Sequence, residues 1–112
     1  MVLLAALPLG SAQNAVEYLK IVEARTLSGL VVLENTKDPV DSVLVEDCSS
    51  DWQTVNQTAH TDPAGHFVFP HAERRLHYLR LTAPGMRMVK IRVRVLPLSP
   101  KSEARIEMPV AM

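Results

Sequence analysis

One cysteine, four glycines and a 4% share of aromatic residues leave this 112-residue chain few of the usual devices for building a site. Cys48 alone cannot close an intrachain disulfide, so packing must hold the fold. A lone cysteine is no metal framework either, and it reads as a small half-buried residue at a strand end. Charge of one sign is also missing. Lys+Arg and Asp+Glu both number 12, so no whole-molecule field draws the chain to nucleic acid or anionic membrane. No apolar run approaches the ~20 residues that a membrane-spanning helix needs. The sequence contains no Gly-x-Ser-x-Gly elbow and no helical His-Glu-x-x-His zinc motif.

What is present is a globular composition, 47% hydrophobic and 21% charged, enough for one domain with a modest core. The clearest patterning runs from Asp62 to Val95. Phe67 and Phe69 follow an Asp62-Pro63-Ala64-Gly65 turn. Leu79, Leu81 and Ala83 share one parity with His77, and Pro84-Gly85 turns the chain again. Val89, Ile91, Val93 and Val95 then alternate with Lys90, Arg92 and Arg94. A period of two is the mark of half-buried antiparallel strands. The Asp-Pro-Ala-Gly turn is read as a hairpin joining a strand within Gln53 to Thr61 to the Phe67 strand.

Earlier in the chain, Gly29 to Glu34 is apolar on both faces, so its second face must be covered by the preceding segment or by a partner. Val43 and Val45 begin another strand, and Cys48 to Asp51 is a polar loop ending at Trp52. Ile106, Met108 and Val110 are in phase in a closing strand. About seven strands with turns every 8 to 12 residues predict an all-β Greek-key sandwich, transthyretin-like or immunoglobulin-like. Residues 13–27 form a lead-in, read as extended with a short helix as the alternative, and the sandwich domain occupies 28–112. Residues 1–12 have the apolar run and the small residues Gly10 and Ala12 of a secretory signal, with a strand of the fold as the alternative. The signal reading implies a secreted or periplasmic protein.

The order of parts carries a resemblance. Ser28-Gly29-Leu30-Val31, Pro39-Val40, Ser42-Val43-Leu44-Val45, Thr61-Asp62-Pro63-Ala64-Gly65-His66-Phe67-Val68-Phe69 and Leu79-Arg80-Leu81-Thr82-Ala83-Pro84-Gly85 succeed one another. From Gly29 to Val95 the chain resembles the carboxypeptidase regulatory-like domain, a transthyretin-like sandwich. His77 and Met86 stand where that family usually has aromatics. The resemblance implies a non-catalytic module for structural support or interaction, with no cofactor. Its partner would be another envelope or secreted protein or a glycan, and a homo-oligomer is an open possibility. The transthyretin-like fold also includes a hydroxyisourate hydrolase, whose Tyr-Arg-Gly-Ser tail has no counterpart in Met108 to Met112.

Two groups of residues are candidates for a site. Lys90, Arg92 and Arg94 share one strand face, Arg80 stands on a neighbouring strand, and Trp52 adds an aromatic of the kind that anchors interfaces. The bland reading of that stripe is a solvated outer face that blunts strand pairing. Aromatics for base stacking are nearly absent there, which argues against nucleic acid. The second group is His60, His66, His71 and His77, which open an alternative as a small hydrolase or as a ligand- or metal-binding protein. Their spacing lacks metal-ligand pairs, and polar histidines at strand ends explain them as well. Asn56-Gln57-Thr58 is an acceptor pattern for N-glycosylation in a eukaryotic secretory pathway.

Overall fold

The computed structural model describes residues 20–111. The signal reading of 1–12 and the helical alternative around Val16 and Leu19 fall outside those residues. Within them the chain is all-β: β1 (Ile21–Ala24), β2 (Ser28–Leu33), β3 (Leu44–Cys48), β4 (Val55–His60), β5 (His66–Val68), β6 (Leu76–Thr82), β7 (Val89–Val95) and β8 (Ala104–Met108). A five-stranded sheet has the order β1-β7-β6-β3-β4, and a three-stranded sheet the order β5-β2-β8. The pairs β1–β7 and β2–β8 are parallel, and the remaining ones are antiparallel.

Alternation in the sequence becomes a division of faces. On β7, Val89, Ile91 and Val93 are buried while Lys90, Arg92 and Arg94 are half-buried on the other side. On β6, His77, Leu79 and Leu81 point inward in the same rhythm. These meet Val31, Phe67, Phe69, Ala104, Ile106 and Met108 from the smaller sheet in one apolar core. Fully burying a side chain such as Leu79 or Leu81 contributes about 1.5–3 kcal/mol, so this comb supplies much of the driving force. The two phenylalanine rings meet edge to face, 5.9 Å between centroids. Phe67 also lies against Gly29, where an added Cβ would come within 2.5 Å of the ring.

Among the described residues eight strands stand where about seven are expected, and the additional one lies in the lead-in. Ile21–Ala24 pairs with β7, and Ala24 and Leu27 are fully buried. The sandwich therefore extends ahead of residue 28. Parallel pairing explains why local pattern gave this extended segment no partner, since β7 lies some 70 residues away.

A second correction concerns the Asp-Pro-Ala-Gly turn. It is tight, with Gly65 N–H donating to the Asp62 carbonyl at 2.8 Å and Asp62 Oδ1 accepting from the Ala64 and His66 amides. Gly65 has φ +85°, the left-handed region that favours glycine. Yet the strands on either side do not form a hairpin: β4 is an edge of the larger sheet and β5 an edge of the smaller. The turn carries the chain between layers. Buried Thr61 holds the crossing, its hydroxyl donating to the Val40 carbonyl and accepting from the Val43 amide.

The doubly apolar strand β2 is central in its sheet. Beyond Leu30 its β5 side is completed by Gly65 and then by the loop at Asp38 to Val40. Val32, on the outward parity, is only 2% exposed.

Candidate functional site

Directly opposed residues on neighbouring strands present their side chains on one face. The registers Arg80↔Lys90, Tyr78↔Arg92 and Leu76↔Arg94 therefore place all four sequence-predicted cations on the outer face of the five-stranded sheet. Glu46 opposes Arg80 from β3, and Glu23 stands beside Arg94 on β1. Four cations thus share this face with two carboxylates.

Trp52 joins them from the loop between β3 and β4. Ser49 donates to Asp51 Oδ1 at 2.6 Å, Gln53 N–H donates to the same oxygen at 3.0 Å, and Trp52 N–H donates to the Ser49 carbonyl at 2.9 Å. The two bonds to Asp51 hold its carboxyl below the ordinary range, the Ser49 hydroxyl most of all. This closed turn sets Trp52 at φ +67°, an uncommon conformation for a bulky residue. The indole lands on the sheet face. It meets Tyr78 edge to face with 5.6 Å between centroids, and Lys90 Nζ sits 5.1 Å from its ring centre.

Arg80 ties the cluster together. Its Nε donates to Glu46 Oε1 at 2.8 Å and its Nη1 donates to the Trp52 carbonyl at 3.4 Å. The bond from Glu46 pushes the Arg80 pKa further up, so the guanidinium is a fixed charge. The structure thus brings Trp52, Arg80 and Lys90 into one contact group, with Arg92 and Arg94 continuing along the same strand. Sequence reasoning missed Tyr78 and Glu46. Tyr78 lies two residues before Arg80, so parity could have placed it on this face, whereas the Glu46–Arg80 pairing needs a cross-strand register.

Cys48 opposes Tyr78 on β3 but is fully buried, and burial pushes its thiol pKa up against the pull of Arg80. The expectation that aromatics are nearly absent from this face is corrected: Trp52 and Tyr78 both lie on it, and aromatic rings and arginines are side chains enriched where proteins bind one another.

The histidines are dispersed. His60 is exposed on β4, while His66 lies in the other sheet and pairs with Glu103 at 3.0 Å. His71 is exposed in the loop before β6. His77 is buried, with Nδ1 3.0 Å from Asp47 Oδ2 and Nε2 2.9 Å from the Arg74 carbonyl. Among the described residues no three His, Cys, Asp or Glu side chains are grouped to hold a metal ion, and no helix is long and apolar enough to cross a membrane. A scan against protein-family models finds no match to this chain, and no curated protein matches it.

Proposed function

We propose that this chain is a non-catalytic sandwich module of the carboxypeptidase regulatory-like type, secreted or periplasmic. It docks an acidic surface of another protein through the outer face of its five-stranded sheet. The observation that carries this reading is the Trp52–Tyr78–Lys90–Arg80 contact group. A purely solvating face needs charges but has no use for a tryptophan held over it by a strained turn. Here the rings supply contact area at low entropic cost, while Arg92 and Arg94 extend the positive charge beside them. The succession from Ser28 to Gly85 supports the family reading.

Site-specific photocrosslinking in the native envelope tests it. A crosslinker at Arg92 is expected to yield a discrete protein adduct that disappears with Trp52→Ala and weakens in about 0.5 M salt. A crosslinker at Val68, 67% exposed on the opposite sheet, is expected to yield none. Equal labelling from both faces, or an adduct indifferent to Trp52, would refute the proposal. Retention on an anionic polysaccharide without any protein adduct would reassign the face to a glycan.

A further inference from the structure

A second site lies at one end of the sandwich, on the inward parity of β3 and β6. Asp47 opposes Leu79, His77 opposes Val93, and the two are 2% and 3% exposed. Gln57, on the edge strand β4, donates from Nε2 both to Asp47 Oδ2 at 2.9 Å and to the His71 carbonyl at 2.7 Å. Both ring nitrogens of His77 are engaged as well. Two acceptors are left over: Asp47 Oδ1 and Gln57 Oε1 are screened from solvent and have no hydrogen-bond partner. Buried oxygens are rarely left so.

Asp47 and Gln57 both line a cavity of about 220 Å³, together with Asn56, His71, Glu73, Arg74 and His77. The donors of Gln57 and His77 are committed, and both oxygens belong to residues of the cavity wall, so a donor can reach them from that side once Gln57 turns. We infer that this cavity binds a small primary amine, whose ammonium donates to Asp47 Oδ1 and Gln57 Oε1. One ammonium carries three N–H donors, enough for both oxygens. The cavity opens to solvent and is roomy enough for several waters, hence for a short aliphatic amine. Gln57, half-buried on an edge strand, is the wall that turns to admit it. Two exposed residues of opposite charge stand at the rim, Glu73 favouring a cation and Arg74 opposing it. This site is independent of the outer face and uses none of its residues.

The test is an NMR titration of the full chain with n-butylamine hydrochloride, n-butanol and sodium acetate at constant ionic strength. Only the amine is expected to shift the Gln57 side-chain amide and the His77 ring signals saturably. Glu73→Gln is expected to weaken that binding about two- to fivefold, and Arg74→Gln to tighten it by a similar factor, as expected for exposed charges. Both positions are exposed, so neither variant threatens the fold. Shifts that stay absent or linear mean that water alone fills the cavity, and the inference fails. It fails equally if butanol saturates the same signals or if the two rim variants leave the amine's affinity unchanged.

Discussion

Both ring nitrogens of His77 face acceptors, Nδ1 the Asp47 carboxylate at 3.0 Å and Nε2 the Arg74 carbonyl at 2.9 Å. A neutral imidazole has one N–H, which leaves one of these contacts without a proton. Buried between these two acceptors, the ring N–H should exchange slowly, and nitrogen-15 NMR is expected to show at least one slowly exchanging ring N–H signal from His77.

Removing one partner of that pair exposes its energetic weight. His77→Leu leaves the buried Asp47 carboxyl without its imidazole partner and is expected to cost about 3 kcal/mol in urea unfolding. His66→Leu removes the His66–Glu103 contact, whose side chains are 47% and 33% exposed, and is expected to cost no more than about 1 kcal/mol. Replacing Asp47 and His77 together by leucine should recover part of the larger loss. Equal costs for the two single variants would show that the buried pair has no special role.

Gly65 and Gly85 separate conformational strain from collision. Both have positive φ, +85° and +76°. At Gly85 an added Cβ meets nothing within 4 Å, so Gly85→Ala is expected to cost only the left-handed strain, about 1–2 kcal/mol. At Gly65 the Cβ would come within 2.7 Å of the Val31 carbonyl oxygen, which is itself bonded to Val40 N–H. Gly65→Ala must strain the backbone and also push the layers' crossing apart. Its midpoint in urea should fall clearly below that of Gly85→Ala.

The strands and their buried faces were legible because alternation of Val89, Ile91 and Val93 with Lys90, Arg92 and Arg94 is a local signal. His77 was also legible as inward-facing, because it shares parity with Leu79 and Leu81. Its partner was not: Asp47 lies 30 residues away and meets it only through the register of β3 on β6. The turn at Asp62 to Gly65 shows the same limit. Its residues dictate local dihedral angles and capping bonds, but not which sheet each flanking strand joins. Trp52 was visible as a candidate anchor. Its place over Tyr78 and Lys90 depends on the Ser49–Asp51 turn and φ +67°, which residue types alone did not announce.

Cys48 gives a pH dependence with a definite sign. Burial raises its thiol above the usual 9.0, partly offset by Arg80 and reinforced by Glu46 and Asp47. The unfolded chain therefore releases this proton first as pH rises. Stability from this source is complete below the unfolded-state value and is lost as pH climbs toward the folded one. The stability of the native sequence relative to Cys48→Ala is expected to fall between about pH 8 and pH 10. A thiol reagent at neutral pH should label Cys48 on the order of 100-fold faster in urea than in the native state, since only opening exposes it.

The outer face allows a direct measurement because Trp52 is the only tryptophan in the chain. Its emission reports on the contact group without labels. Lys90→Ala removes the cation 5.1 Å from the ring centre and is expected to alter the fluorescence while leaving the fold intact. A double-mutant cycle with Trp52→Leu, read by urea unfolding, isolates the coupling, for which about 0.5–1 kcal/mol is the expected size at a partly exposed site. Tyr78→Ala should cost more than Lys90→Ala, because it removes the edge-to-face partner of Trp52 and uncovers the fully buried Cys48 opposite it. Zero coupling between Trp52 and Lys90 would mean that the ring and the cation are neighbours without attraction. The face would then lose the preorganised anchor on which docking through it depends.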